Sequence, residues 1–254
     1  MLPHFDAATW ALIAAASLVA FTVRGLSGFG SSMIGIGTLS IALPPAQVVP
    51  AFLGLELVTS VNLLPGVWRQ VDFRSLRWVV AGCALATPLG LMLLVRLDAN
   101  PMRLVVSAVL LFIATAMLAG AAERLAPKRP PGAAGSFAVG CASGLLNGAA
   151  GIGGPPAVVF YFATRGAAVS RATLIAYFLF TDLFALAWAG GSGLLTQAAW
   201  PLIVAALPFS LLGVWLGTRG FRRLDETCLK RLVWTLLALL GALGVAGAIW
   251  RLAR

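Results

Sequence analysis

Residues 24–37 read RGLSGFGSSMIGIG, and they lie inside an apolar run, 9–42. A helix crosses the hydrocarbon of a bilayer in about 20 residues. A run of this length therefore exceeds one straight crossing. Glycine weakens a helix because its backbone is so free when unfolded. The stretch thus predicts a helix that stops and restarts inside an apolar environment. Lipid offers no partner to free backbone groups, so such a break survives only where it packs in protein or lines a cavity.

A second stretch of the same kind, GCASGLLNGAAGIGGPP at Gly140–Pro156, sits in the run 134–163. Pro155 and Pro156 suit the first turn of a restarted helix, where a missing N–H is no loss. The remaining apolar runs, 47–67, 77–95, 101–121, 172–191, 198–217 and 229–250, have ordinary spanning length. The fold class read from this pattern is all-α: a polytopic transmembrane bundle of about eight segments with glycine-rich broken helices. Continuous apolar runs, without alternation, speak against an outer-membrane barrel. The first run has no basic leader or cleavage signal before it and reads as retained.

Composition agrees. The chain is 60% hydrophobic and only 10% charged, against about a quarter charged in soluble domains; mean hydropathy is +0.97. Its formal net charge is +10, but the basic residues fall between the apolar runs, where lipid headgroups lie. No basic stripe with interleaved aromatics is present, which argues against nucleic acid as a partner. Trp10, Trp68, Trp78, Trp200, Trp234 and Trp250 fall near segment ends, as interfacial anchors do. One histidine and three isolated cysteines give no metal cluster, no disulfide framework and no catalytic triad. The expectation is a protein without cofactor and without enzyme activity.

The chain also repeats itself. GIG at Gly35–Gly37 recurs 116 residues later at Gly151–Gly153, and FLGLEL at Phe52–Leu57 is echoed 126 residues later by FLFTDL at Phe178–Leu183. VRLD at Val95–Asp98 precedes RRLD at Arg222–Asp225 by 127 residues, and RLVV at Arg103–Val106 precedes RLVW at Arg231–Trp234 by 128. The order is kept, so the chain divides into homologous halves, 1–122 and 136–254, joined by a charged Pro/Gly linker, 123–135.

Three features carry chemistry. At each glycine break, free N–H groups and the positive end of a half-helix can face one point and hold an anion. Gly28, Gly30, Ser31, Ser32, Gly35 and Gly37 would do so in the first half. Asn147, Gly148, Gly151, Gly153, Gly154 and Pro155 would do so in the second. For a single glycine, helix packing is the stronger reading: Gly140, Gly144 and Gly148 share one face, and Ser27, Ser31 and Gly35 do likewise. The paired occurrence favours a site. Second, Glu56 and Asp182 occupy equivalent places in the two halves. Intramembrane carboxylates are costly and mark pathways, so this pair reads as proton-coupling, the alternative being structural acids hydrogen-bonded to a neighbouring helix. Third, Arg24 either neutralises an anionic substrate or snorkels to the surface; both stay open.

These residues carry a family resemblance. GLSGFGSSMIGIG, GLLNGAAGIGGPP, the acid-bearing segment after each, and the charged connector after Arg69 resemble the TauE/SafE family of sulfite exporter-like membrane permeases. The resemblance implies a two-halved permease for sulfite, sulfonates or related organosulfur or carboxylate compounds, with the glycine segments lining the anion path. The first segment departs from the family's richer Gly-x-Gly-Gly-Gly run, because Ser31 and Ser32 replace part of it and change the donors. The reading is a multi-pass secondary transporter of the bacterial inner membrane. Its partners would be a small anion, the lipid bilayer and, as an open question, further copies of itself. A passive anion channel and a membrane-anchor subunit are the alternatives.

Overall fold

A backbone in lipid must satisfy its own hydrogen bonds, and a helix does this within one segment. The computed structural model describes residues 6–39, 42–96, 108, 111–112, 114–116, 118–120, 132–150, 154–191 and 199–252, and among these there are helices and no strand. The helices are α1 (Ala7–Ser27), α2 (Ser31–Leu39), α3 (Pro45–Val67), α4 (Phe73–Arg96), α5 (Ala133–Ala150), α6 (Gly154–Thr164), α7 (Ala167–Gly191), α8 (Ala199–Phe221) and α9 (Glu226–Leu252). The protein is an all-α, polytopic bundle. Five stretches among the described residues are long and apolar enough to cross a bilayer: Ala7–Ser27, Gln47–Gln70, Ala167–Ala187, Ala199–Phe221 and Glu226–Gly247. Most of the expected segment 101–121 lies outside the described residues.

The first long run is broken where glycine clusters. It ends as α1 at Ser27 and resumes as α2 at Ser31. Gly28 and Gly30 take left-handed conformations, with φ of 84° and 93°, which side chains other than glycine seldom adopt. Gly28 closes α1 by donating its N–H to the Arg24 carbonyl at 2.7 Å. This break also disposes of the continuous face expected of Ser27, Ser31 and Gly35, since Ser27 ends one helix and Ser31 begins the next. In the second run, α5 ends at Ala150 and α6 opens Gly154-Pro155-Pro156, with the prolines in the first turn. Gly151–Gly153 lie outside the described residues.

The chain forms two compact units. One comprises Met1–Gln70 with Leu174–Leu224, the other Val71–Thr173 with Asp225–Arg254, so α7 passes from the second to the first at Thr173. In the first unit, α1 lies along α8 with almost nothing between the backbones. A Cβ on Gly25 would stand 2.6 Å from the Val214 carbonyl, and one on Gly213 would stand 2.7 Å from the Leu18 carbonyl. Gly217 backs onto Thr22 in the same way. Helix α3 completes the unit's core, where Phe21 and Phe52 stack with ring centres 5.8 Å apart.

The second unit repeats the device with different helices. Here α5 lies along α4: Gly140 abuts Val79, Gly144 abuts Cys83, and Gly82 abuts Phe137. Small residues let helices approach closely in lipid, where dispersion and polar contacts drive association. Trp234 of α9 is packed against Phe162 in this unit, 6.3 Å edge to face and only 3% exposed. It is therefore a core residue and not the interfacial anchor its segment-end position suggested. Trp68 and Trp200 are well exposed.

Helix α4 begins earlier than its hydropathy indicates because Asp72 caps it. The Asp72 carboxylate accepts from the Ser75 N–H at 3.2 Å and from Arg165 Nε at 2.9 Å, while the Asp72 N–H donates to Thr173 Oγ1 at 3.0 Å. Burial raises the Asp72 carboxyl, but the hydrogen bonds from Arg165 and Ser75 outweigh it and hold the group below its ordinary value. A depressed carboxyl stabilises the fold above its unfolded value of about 3.9 and loses that contribution as pH falls through the folded value.

Two outcomes are expected. Gly144→Ala lowers the thermal midpoint in detergent, equivalent to about 1–3 kcal/mol of overpacking, whereas Gly247→Ala, with open space around it, leaves the midpoint unchanged or raises it. Equal effects would remove the close helix approach as their cause. Thermal stability measured from pH 6 down to pH 3 falls more steeply in the wild type than in Asp72→Asn; parallel curves would exclude Asp72 as a contributor.

Candidate functional site

Breaking a helix creates two dipole ends of opposite sign, and in the first unit each meets a matching charge. The carbonyl end of α1 carries a partial negative charge, and Arg24 lies in that last turn. The amide end of α2 carries a partial positive charge, and the Glu56 carboxylate reaches it from α3. Glu56 Oε1 accepts the Ser32 N–H at 3.1 Å and is also hydrogen-bonded by the Ser31 hydroxyl. Arg24 Nη1 donates to the same oxygen at 3.0 Å.

Arg24 is wholly buried and Glu56 is 2% exposed. The guanidinium is saturated on most sides. Nη1 also donates to Ser31 Oγ at 3.2 Å and Nη2 to Ser60 Oγ at 2.6 Å, while the Phe178 ring lies under Cζ at 5.5 Å from its centre. Asp182 of α7 approaches from the other side, its Oδ2 3.8 Å from Arg24 Nη2. That oxygen has no hydrogen-bond partner, and neither has Arg24 Nε. The cluster therefore contains two carboxylates and one cation.

Of the residues expected to form the site, the structure gathers Arg24, Ser31, Ser32, Glu56 and Asp182 in one place. Arg24 does not snorkel: it is an interior cation tied to the acid of its own half. Gly28 and Gly30 shape the turn that presents the α2 N-terminus. Gly35 lies against the Phe52 ring and serves packing, whereas Gly37 is exposed with nothing within contact range. In the second unit, Asn147 is half-buried near the end of α5, Gly148 follows in the same helix, and Gly154 and Pro155 open α6. Gly151 and Gly153 lie outside the described residues. Ser143 and Ser136 on α5 are buried with unpartnered hydroxyls.

Two contributors escaped the sequence reading. Ser60 stands four residues after Glu56, hence on the same helix face, and could have been found by that spacing. Phe178, four residues before Asp182, could have been found likewise.

The family model described as Sulfite exporter TauE/SafE matches residues 13–243. The chain is also 28% identical over 224 residues to the "Probable sulfite/organosulfonate exporter TauE" of Cupriavidus necator, covering 85% of this chain and 86% of that one. No solved structure gives a significant match. The chain belongs to the Sulfite exporter TauE/SafE family and is a multi-pass membrane protein.

Removing one partner of a buried ion pair strands the other and costs about 3–5 kcal/mol. Arg24→Gln is therefore expected to lower the thermal midpoint sharply, and the double variant Arg24→Gln/Glu56→Gln to recover much of the loss. A double variant no more stable than Arg24→Gln would mean that the two charges do not depend on each other.

Proposed function

We propose that this member of the exporter family is a secondary transporter of a small sulfur-containing anion, sulfite or a simple sulfonate, in the bacterial inner membrane. The observation that carries this reading is the buried cation at a helix break. Arg24, the Ser31 hydroxyl and the Ser32 N–H converge as an oxyanion's donors do, inside an apolar chain where an interior charge is costly and marks a pathway. The family match and the name of the Cupriavidus relative support the substrate class.

In this reading Gly28 and Gly30 hold the donors in place, Gly37 continues the path along α2, and Gly35 seats that helix on the Phe52 ring. By the sequence repeat, the second glycine segment, with Asn147, Gly148, Gly151, Gly153, Gly154 and Pro155, is the counterpart of this segment in the other half. Glu56 and Asp182 take up and release protons, as acids inside membranes commonly do. The halves 1–122 and 136–254, linked by 123–135, then rearrange to expose the site alternately. One feature supports the two-halved reading: each half contributes a first glycine helix, α1 or α5, that packs on the fourth helix of the other half, α8 or α4.

The test is flux of sulfite and methanesulfonate into proteoliposomes, with and without an imposed pH gradient. Saturable flux is expected, faster when protons and anion move the same way, and Glu56→Gln is expected to lose the response to the gradient. Flux that rises linearly with concentration would mean a channel, and no flux from folded protein would remove the transport reading.

A further inference from the structure

The donors gathered at the first helix break are already occupied, and by a residue of the protein itself. One Glu56 oxygen takes Arg24 Nη1, Ser31 Oγ and the Ser32 N–H. That is the coordination a substrate oxygen would need. A second carboxylate, Asp182, stands 3.8 Å from the same guanidinium with Oδ2 buried and without a hydrogen-bond donor. Resting on the transport reading above, we infer that Glu56 is an internal stand-in for the substrate, and that the transported sulfonate or sulfite replaces it on Arg24 and the α2 N-terminus when Glu56 takes up a proton.

Charge decides the order of events. The groups facing the pair are Arg24 from α1, Glu56 from α3 and Asp182 from α7; α2 presents only Ser31 and Ser32. Helix α8 packs on α1 and α3, but its one charged residue, Arg219, lies over Trp215 at 3.6 Å. An anion entering while both carboxylates were ionised would set three negative charges against one cation in a buried site, where unpaired charge is most costly. If Glu56 gains a proton as the anion arrives, the net charge of the site does not change. The protonated carboxyl gives up its place on the guanidinium, and a sulfonate has three oxygens to distribute over Arg24 Nη1, the Ser31 hydroxyl and the Ser32 N–H. Release reverses the exchange: the proton leaves Glu56 and the carboxylate re-enters the donors, expelling the anion. Binding and discharge are thus two states of one competition, and the substrate travels with one proton.

The experiment is calorimetric titration of the purified full-length protein with methanesulfonate, which stays a monoanion across the range, at pH 5 to 8 in buffers of differing ionisation heat. The wild type is expected to bind about tenfold more weakly for each unit rise in pH, with about one proton taken up per anion. Glu56→Gln, which cannot ionise, is expected to bind with one affinity at every pH and to take up no proton. Binding by the wild type that is independent of pH overturns the exchange and leaves the transport reading intact, as does proton uptake that persists in a folded Glu56→Gln protein. If neither methanesulfonate nor sulfite binds folded wild type at any pH, the substrate class fails and the exchange falls with it.

Discussion

The first unit turns on the contact between Arg24, Glu56 and the start of α2. A break in a membrane helix leaves unsatisfied carbonyls on one side and unsatisfied amides on the other, and lipid can serve neither. Here Gly28 returns its N–H to α1, Arg24 adds a cation beside the carbonyl end, and the Glu56 carboxylate takes an amide at the other end. The ion pair and the break explain each other. Without the break there would be no dipole ends to hold the charges; without the charges the free α2 amide would lack its acceptor. Phe178, Ser60 and Asp182 then enclose what those two residues began.

Glycine does two different jobs within a few residues. Gly28 and Gly30 are needed for backbone conformation, while Gly25, Gly213 and Gly217 are needed because another backbone passes where a side chain would stand. The same division of labour explains why glycine-rich stretches of this chain cannot be read as ligand loops residue by residue. Gly35, placed among the candidate binding residues, faces the Phe52 ring. The donors that converge on the acid come from Arg24, Ser31 and the Ser32 backbone.

The helical architecture was legible in the sequence because length and hydropathy are nearly sufficient in lipid. The break between α1 and α2 was legible because glycine punctuates helices by local physics. Glu56 and Asp182 stood out as acids in apolar surroundings. What could not be read was proximity. Nothing in the period of a helix says that residue 24 meets residue 56 and then 182, so Arg24 could be weighed only between substrate and surface. The start of α4 was missed for another reason: Arg74 and Arg77 depress its hydropathy, although Asp72 followed by Ser75 is a capping pattern. Trp234 misled because nearness to a segment end does not say which way a side chain points.

The pairing of α1 with α8 has a consequence for biosynthesis. The glycine faces that press these helices together lie at Gly25 and at Gly213 and Gly217, so α1 waits until the much later α8 has been made before its backbone contact can close. During that interval Arg24 can find Glu56, since α1 to α3 emerge together, but the small-residue groove of α1 stays open to lipid or to another chain. Contacts this distant in sequence slow folding and lengthen exposure. The early ion pair would then act as a clasp that holds the N-terminal helices in register until translation delivers their remaining partners.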